Sequence, residues 1–277
     1  AWSVSGDGSA IAGNSGGSVF RWTQATGRVN IPVTLGTEIS ISRDGSTVVS
    51  SNTRWNTVTG ASAFPLPTGF GSGQFDAYDL SSDGSVVAGA FSYGQPVQPF
   101  RWTAAGGTQL LGHIPGGLDD SLASVISGDG SKIAGMGRGP GGYDTFRWTE
   151  QTGMVGLGVV AAGFGAPLPR DMTPDGNVLV GTAGFTTFVW SGAGPENLQD
   201  VLEQHFGLNL NGYQMLFANG VSDDGRTLVG IGIDQGGFNT GWRVTLPSAI
   251  PGPSGLMLLG IGMMMCGQRK RGSISRV

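Results

Sequence analysis

An all-β fold, a β-propeller of six four-stranded blades, is what this sequence predicts, and three observations predict it. An Asp-Gly phrase occurs six times, as SGDGSAIAG (5–13), SRDGSTVVS (42–50), SSDGSVVAG (81–89), SGDGSKIAG (127–135), TPDGNVLVG (173–181) and SDDGRTLVG (222–230). Its aspartates, Asp7, Asp44, Asp83, Asp129, Asp175 and Asp224, stand 37, 39, 46, 46 and 49 residues apart, the length of one propeller blade and not of a short solenoid turn. A Phe-x-Trp pair follows four of the phrases: Phe20/Trp22, Phe100/Trp102, Phe146/Trp148 and Phe188/Trp190.

Each repeat divides into four strands. A β-prone run such as LASVIS (122–127) leads into Asp-Gly, the commonest two-residue hairpin turn, whose central positions both need positive φ. The turn aspartates are read as structural, bonding their own backbone. A β-branched second strand follows. Phe and Trp then alternate onto one face of a third strand, so Trp22, Trp102, Trp148 and Trp190 are expected buried between adjacent blades. QATG, TVTG, AAGG or EQTG turns the chain into a last strand such as MVGLG (154–158). Four antiparallel strands, repeated six times, make a propeller in which each sheet covers its neighbour's apolar face. The six Asp-Gly turns are expected on one face, opposite the variable loops.

Two places depart from this grammar. Repeat six runs GWRVTLP (241–247), which supplies a third strand and leaves no room for a fourth. The last blade is therefore expected to be incomplete, with its outer strand drawn from residues upstream of Ala1. In GPENLQDVLEQHFG (194–207), Leu198, Val201, Leu202 and Phe206 fall at helical spacing, with Pro195 suited to a helix start and Gly207 to its end. A short helix at about 195–207 is expected between repeats five and six, covering the end of a blade.

Composition narrows the partners. Gly is 52 of 277 residues and charged residues are 12%, against averages of about 7% and about 25%. With 39% hydrophobic residues and seven Trp, the glycine reads as turn-rich β structure and not as disorder. Residues 1–268 carry 11 basic against 19 acidic groups, and an acidic body without a basic patch excludes nucleic acid as a partner. The single cysteine, Cys266, excludes an internal disulfide framework. Residue 1 already lies inside a repeat, so an export signal is expected upstream of it.

Residues 248–277 read as a separate Pro-rich linker, hydrophobic segment and basic tail. The stretch 245–268 holds no charge, and Arg269, Lys270 and Arg271 follow at once. Its fully apolar part, GLMLLGIGMMMCG (255–267), is 13 residues and the run from Ala249 is 19, against about 20 for a spanning helix. Basic residues after an apolar run fit a cytoplasmic end. A C-terminal hydrophobic helix that holds the body at the membrane is expected; the alternative is a β-rich tail packing on the propeller.

The repeated unit over residues 1–247 resembles the HAF repeat of bacterial extracellular proteins, and ENLQDVLEQHFGLNLNGYQMLFANGVSDDGRTLVGIG (196–232) is similar to that family's final repeat. Pro99, Thr145 and Thr187 stand before Phe where the family has His-Ala. The tail resembles PEP-CTERM sorting signals, with IPGPSG (250–255) in place of Pro-Glu-Pro. The resemblance implies export, transient membrane anchoring through the C-terminal segment, processing by an exosortase-type enzyme, and a destination at the cell surface or outside the cell.

Catalysis needs a unique cluster, whereas the repeated residues occupy six equivalent places. His113 and His205 are the only imidazoles, and no Cys–His pair, His-Glu-x-x-His or metal-ligand spacing occurs. No catalytic residue, metal or cofactor is expected. The Asp-Gly phrase resembles the Asp-box of sialidases but carries Val, Ile or Leu where that box has Trp, and GRGPGG (137–142) lacks the Lys-Ser/Thr of a phosphate loop. Binding through variable loops is the better reading, with Tyr93, His113, Asp119, Asp120, Arg138, Tyr143, Arg170 and Asp234 as candidates. The expected function is a cell-surface or extracellular-matrix propeller with a binding or structural role, its partner an extracellular polysaccharide or another surface protein. The alternative is a secreted propeller-fold glycoside hydrolase or lyase. Raised-pKa carboxylates clustered in the central mouth would favour the enzyme.

Overall fold

The computed structural model describes residues 1–94, 96–158, 166–192 and 194–250, and the backbone of 273–276. Among these residues six antiparallel sheets of four strands follow one another, each in chain order from first strand to fourth. The expected six-bladed β-propeller is present. The chain divides into two compact units, Ala1–Gly142 with Phe146–Gly156, and Tyr143–Thr145 with Leu157–Val277.

The turn between first and second strands is not the expected two-residue type. Gly8, Gly45, Gly84, Gly130, Gly176 and Gly225 have φ of 63–73°, while no turn aspartate has a positive φ. The Gly8 N–H donates to the Ser5 carbonyl (2.9 Å), and Ser5 N–H to the Ala10 carbonyl (2.9 Å). This is the pattern of a type I turn over Gly6–Asp7 with a left-handed glycine behind it, a four-residue loop. Side chains select it. The Ser5 hydroxyl donates to the Asp7 carboxylate (2.8 Å) and accepts from Ala10 N–H (2.9 Å), while Asp7 accepts from Ser9 N–H (2.9 Å). Ser127, Asp129 and Lys132 repeat the arrangement in blade four, and Thr173, Asp175 and Val178 in blade five.

The second and third strands are matched by shape. Gly13 lies opposite Phe20, Gly89 opposite Phe100, Gly181 opposite Phe188 and Gly230 opposite Trp242. A Cβ on Gly181 would overlap the Leu168 carbonyl oxygen and stand 2.8 Å from the Phe188 ring, and one on Gly89 would overlap the Asp76 carbonyl oxygen and stand 2.9 Å from Phe100, so the missing side chain is space shared by the first strand's backbone and the ring. Blade two changes both partners together, to Ser50 opposite Thr53. In blade six Trp242 takes the place of Phe, which the sequence did not show because no Phe-x-Trp marks that strand.

Arg and Trp of the same strand join blades. Arg21 Nε donates to the Gly45 carbonyl (2.8 Å) and Arg54 Nε to that of Gly84 (3.2 Å), each reaching the turn of the following blade. Trp148 packs back on Val86 and Ala88 of blade three, and Trp102 on Val49 of blade two. The Arg54 guanidinium lies 5.7 Å from the Trp102 ring. Trp102, Trp148 and Trp190 are buried as expected, but Trp22 is 36% exposed. Within its unit the first blade has no preceding sheet to cover that face.

The helix is shorter than expected. Pro195–Asn197 form the fourth strand of blade five, and the helix spans Leu198–Gln204 with Asn197 as its N-cap, accepting from Gln199 N–H (2.9 Å). An extended Pro with its residues in a ladder leaves the capping to the first side chain that can accept a bond. Leu198, Val201 and Leu202 are buried against Met215, Leu228 and Trp242.

The last blade is complete, contrary to expectation. Ser273–Arg276 pair antiparallel with the third strand, Arg276 opposite Trp242 and Ser273 opposite Thr245. The free edge of Asn239–Thr245 is an unpaired row of backbone donors and acceptors, and the chain's own C-terminal residues supply the ladder. The hydrophobic helix expected over 255–267, with Arg269, Lys270 and Arg271, lies outside the described residues.

Candidate functional site

At the turn end of the first unit, backbone bonds tie neighbouring blades. Gly6 N–H donates to the Arg43 carbonyl (2.8 Å), Asp44 N–H to Ser82 (3.3 Å) and Ser82 N–H to Gly128 (2.8 Å). The Asp-Gly turns of blades one to four therefore stand side by side. Gly6, Asp7, Arg43, Asp44, Ser82 and Asp83 line an open depression of about 540 Å³. Its carboxylates are not poised as acids. Ser9 N–H and the Ser5 hydroxyl hold Asp7 at about 2, and Ser85 N–H holds Asp83 below the ordinary value. At Asp44 partial burial works upward, but bonds from Ser42 and Ser46 outweigh it. In blade four the Ser127 hydroxyl and Ser131 N–H hold Asp129 at about 2.

Two residues before the Ser or Thr of the phrase, the first strand carries Ser3, Ser40, Asp79, Val125, Asp171 or Gly220. Several of these staple one blade to the next. Ser3 Oγ accepts from Ile41 N–H (3.3 Å); Asp79 accepts from Ile126 N–H (3.0 Å) and the Ser40 hydroxyl (3.2 Å). Asp171 accepts from Val221 N–H and Met172 N–H, both at 2.8 Å. Burial nevertheless pushes Asp171 up to about 6.

A titratable group that sequence reasoning missed stands on the first strand of blade three, Gln74–Leu80. Burial raises the Asp76 carboxyl. It also raises the Tyr78 phenol, helped by the charges of Asp76 and Glu38 and opposed by a hydrogen bond with Thr37. Period-two reading of QFDAYDL puts Asp76 and Tyr78 on one face, which is the signal that could have found them.

The candidate loop residues scatter over several elements. Tyr93 is exposed at the hairpin between the second and third strands of blade three, edge-on to Phe70 at 5.9 Å. His113 Nδ1 and the Asp119 carboxylate meet at 2.6 Å, both exposed. Arg138 pairs in register with Leu118, next to Asp119, and Asp120 follows on the same strand. These four belong to the first unit and one corner of it: a Cβ on Gly116 would stand 3.2 Å from Pro140 of the facing hairpin. Tyr143 is exposed on the third strand of blade four. Arg170 lies in the first strand of blade five, Pro167–Met172, and not in a loop, because the Pro-rich run extends as strand. Asp234 binds its own hairpin, accepting from Gly236 N–H (2.9 Å) and Phe238 N–H (3.1 Å). Sequence reasoning also passed over Phe185 and Phe238, which are exposed on the hairpins equivalent to that of Tyr93. Their signal was position, ten and fourteen residues after the turn aspartate.

Among the described residues no group of three His, Cys, Asp or Glu side chains is placed to hold a metal ion, and no helix is long and apolar enough to cross a membrane.

No known family profile matches the chain, and no curated protein matches it. Solved structures do. An oligogalacturonate lyase in complex with manganese is 15% identical with a TM-score of 0.56, covering 88% of this chain and 73% of that one. Oligogalacturonate lyase from Vibrio parahaemolyticus is 12% identical, TM-score 0.52, over 88% and 74%. The putative TolB from Agrobacterium tumefaciens is 16% identical, TM-score 0.49, over 90% and 77%. At such identities the likeness to the two lyases shows the propeller fold and nothing of their chemistry.

Proposed function

We propose that the protein is exported and acts at the cell surface or in the extracellular matrix as a propeller that binds a carbohydrate or protein partner. The observation that carries the binding role is the state of the carboxylates lining the open depression. Asp7, Asp44 and Asp83 are ionised and committed to their own turns, so none is tuned toward neutral pH as an acid or base would be. What varies between blades is carried on hairpins and connectors held by that fixed frame. The HAF-like units and the PEP-CTERM-like tail support export and sorting, with residues 255–267 as the anchoring segment, Arg269, Lys270 and Arg271 beyond it, and an exosortase-type enzyme as its processor. A chain inserted in this way does not make the Ser273–Arg276 pairing, which belongs to the chain outside the membrane.

Fractionation tests the location. Cells make the chain behind an export signal, beside a variant in which 251–272 is replaced by a Gly-Ser linker of the same length, so that Ser273–Arg276 can still pair. The unaltered chain is expected in the membrane fraction before processing and the variant in the medium. Equal release of both removes the anchoring role. A glycan array with the purified variant then separates a carbohydrate partner from a protein one.

The second reading, a glycoside hydrolase or lyase, is favoured by the raised Asp76 and Tyr78 beside Glu38. It requires bond cleavage in a panel of polysaccharides, lost on Asp76→Asn.

A further inference from the structure

A folding chain gains by burying large aromatic rings, yet three blades of this protein, the third, fifth and sixth, each expose one at the same hairpin. Between second and third strands stand Tyr93, Phe185 and Phe238, at 57, 79 and 71% exposure. Two of the rings are braced. Phe70 meets Tyr93 edge to face at 5.9 Å. The Asp234 carboxylate ties the N–H groups of Gly236 and Phe238, and a Cβ on Gly236 would stand 3.0 Å from the Phe238 ring. Gly94 and Gly237 have nothing within 4 Å of where a Cβ would be, so a flat ligand meets no side chain from these positions.

Charge selects the ligand. Residues 55–100, which hold Tyr93, contain no Lys or Arg; neither do 171–225, which hold Phe185, nor 227–242, which hold Phe238. A phosphate or uronate polymer would find no cation in these segments. A protein interface would need a contiguous apolar core with a polar rim, whereas Phe185 and Phe238 stand on separate hairpins among Gly, Thr, Gln and Asn. Pyranose rings present a face of C–H bonds that stacks on an aromatic ring, and a polymer repeats that face at intervals.

Resting on the binding reading above, we propose that Tyr93, Phe185 and Phe238 are stacking residues for an uncharged polysaccharide. Phe185 and Phe238 belong to the same unit, and their weak contacts along one polymer add through effective concentration.

Native affinity electrophoresis of the full chain tests this, with galactomannan, xyloglucan and a β-1,3-glucan in the gel and polygalacturonate as the charged control. At least one neutral polymer is expected to retard the protein. The triple variant Tyr93→Ala, Phe185→Ala, Phe238→Ala should weaken that association on the order of tenfold or more, with little change in Tm because the side chains are exposed. Tyr93→Trp should keep it. Should the triple variant lose stability, Phe185→Ala alone is read, with a severalfold loss expected. Undiminished retardation of the variants, or retardation by polygalacturonate alone, overturns the role of the rings while glycan binding stands. Retardation by none of the polymers overturns both.

Discussion

Asp171 makes the stability of the second unit depend on pH in a direction opposite to that of the turn aspartates. Its two oxygens accept from Met172 and Val221 N–H at 2.8 Å. Burial still wins over the two bonds and raises the group from 3.8 to about 6. The folded chain therefore holds a proton that the unfolded chain releases between those values. Stability contributed by the neutral form is full below 3.8 and is lost as pH rises through 6. At about 1.4 kcal/mol per pKa unit the loss is at most about 3 kcal/mol. Asp171→Asn removes the titration and keeps one acceptor. Urea unfolding in half-unit steps from pH 4 to 7.5 should show the two proteins of similar stability at pH 4 and the variant gaining on the wild type above pH 6. Parallel curves across the range would refute the reasoning. The turn aspartates do not interfere, because their lowered pKa values confine their loss of stability to pH below about 4.

Four more outcomes follow from the packing. Trp148→Ala should cost about 3–5 kcal/mol and Trp22→Ala clearly less, read as Tm by circular dichroism; equal losses would mean that burial is not the cause. Gly181→Ala should destabilise by about 1–3 kcal/mol through overlap with the Leu168 carbonyl oxygen of the first strand and with the Phe188 ring, read as Tm, and adding Phe188→Leu should not restore it, because the backbone overlap remains. Ser127→Ala should cost about 1 kcal/mol and let the Asp129 carboxyl rise from about 2, visible by NMR titration; an unmoved Asp129 would contradict the assigned bond. Asn197→Ala should cost about 1 kcal/mol as a lost N-cap, seen as a lower urea midpoint.

The repeat was legible because its residues answer local demands. Gly, Phe and Trp recur where a cross-strand fit or a neighbouring blade requires them, and the spacing of the turn aspartates counted the blades correctly. The turn type was not legible: Asp-Gly alone suggests a two-residue hairpin, and only the Ser5–Asp7–Ala10 bonding shows the longer loop. The helix start was misplaced for a similar reason, since Pro195 suits either a first helical turn or an edge strand and pairing with Trp190 decided it. The staples of Asp79 and Asp171 went unseen because a carboxylate two residues before the phrase has meaning only beside the next blade. Polar and aromatic residues in turn-rich loops marked Tyr93 and the His113–Asp119 pair, whereas Phe185 and Phe238 read as core residues until their hairpins place them in solvent.

The hydrogen bonding of Ser273–Arg276 has a consequence for any maturation of the tail. Among the described residues, Trp242–Thr245 are clasped from outside by those four alone. A cut within 251–272 that sheds the C-terminal piece strips the clasp and leaves an open strand edge. Such an edge recruits an extended segment from another molecule. Membrane insertion and the clasp are exclusive uses of the tail: a chain held at the membrane, like one that has lost its C-terminal piece, carries a vacant docking rail, able to be filled by a strand from its neighbour.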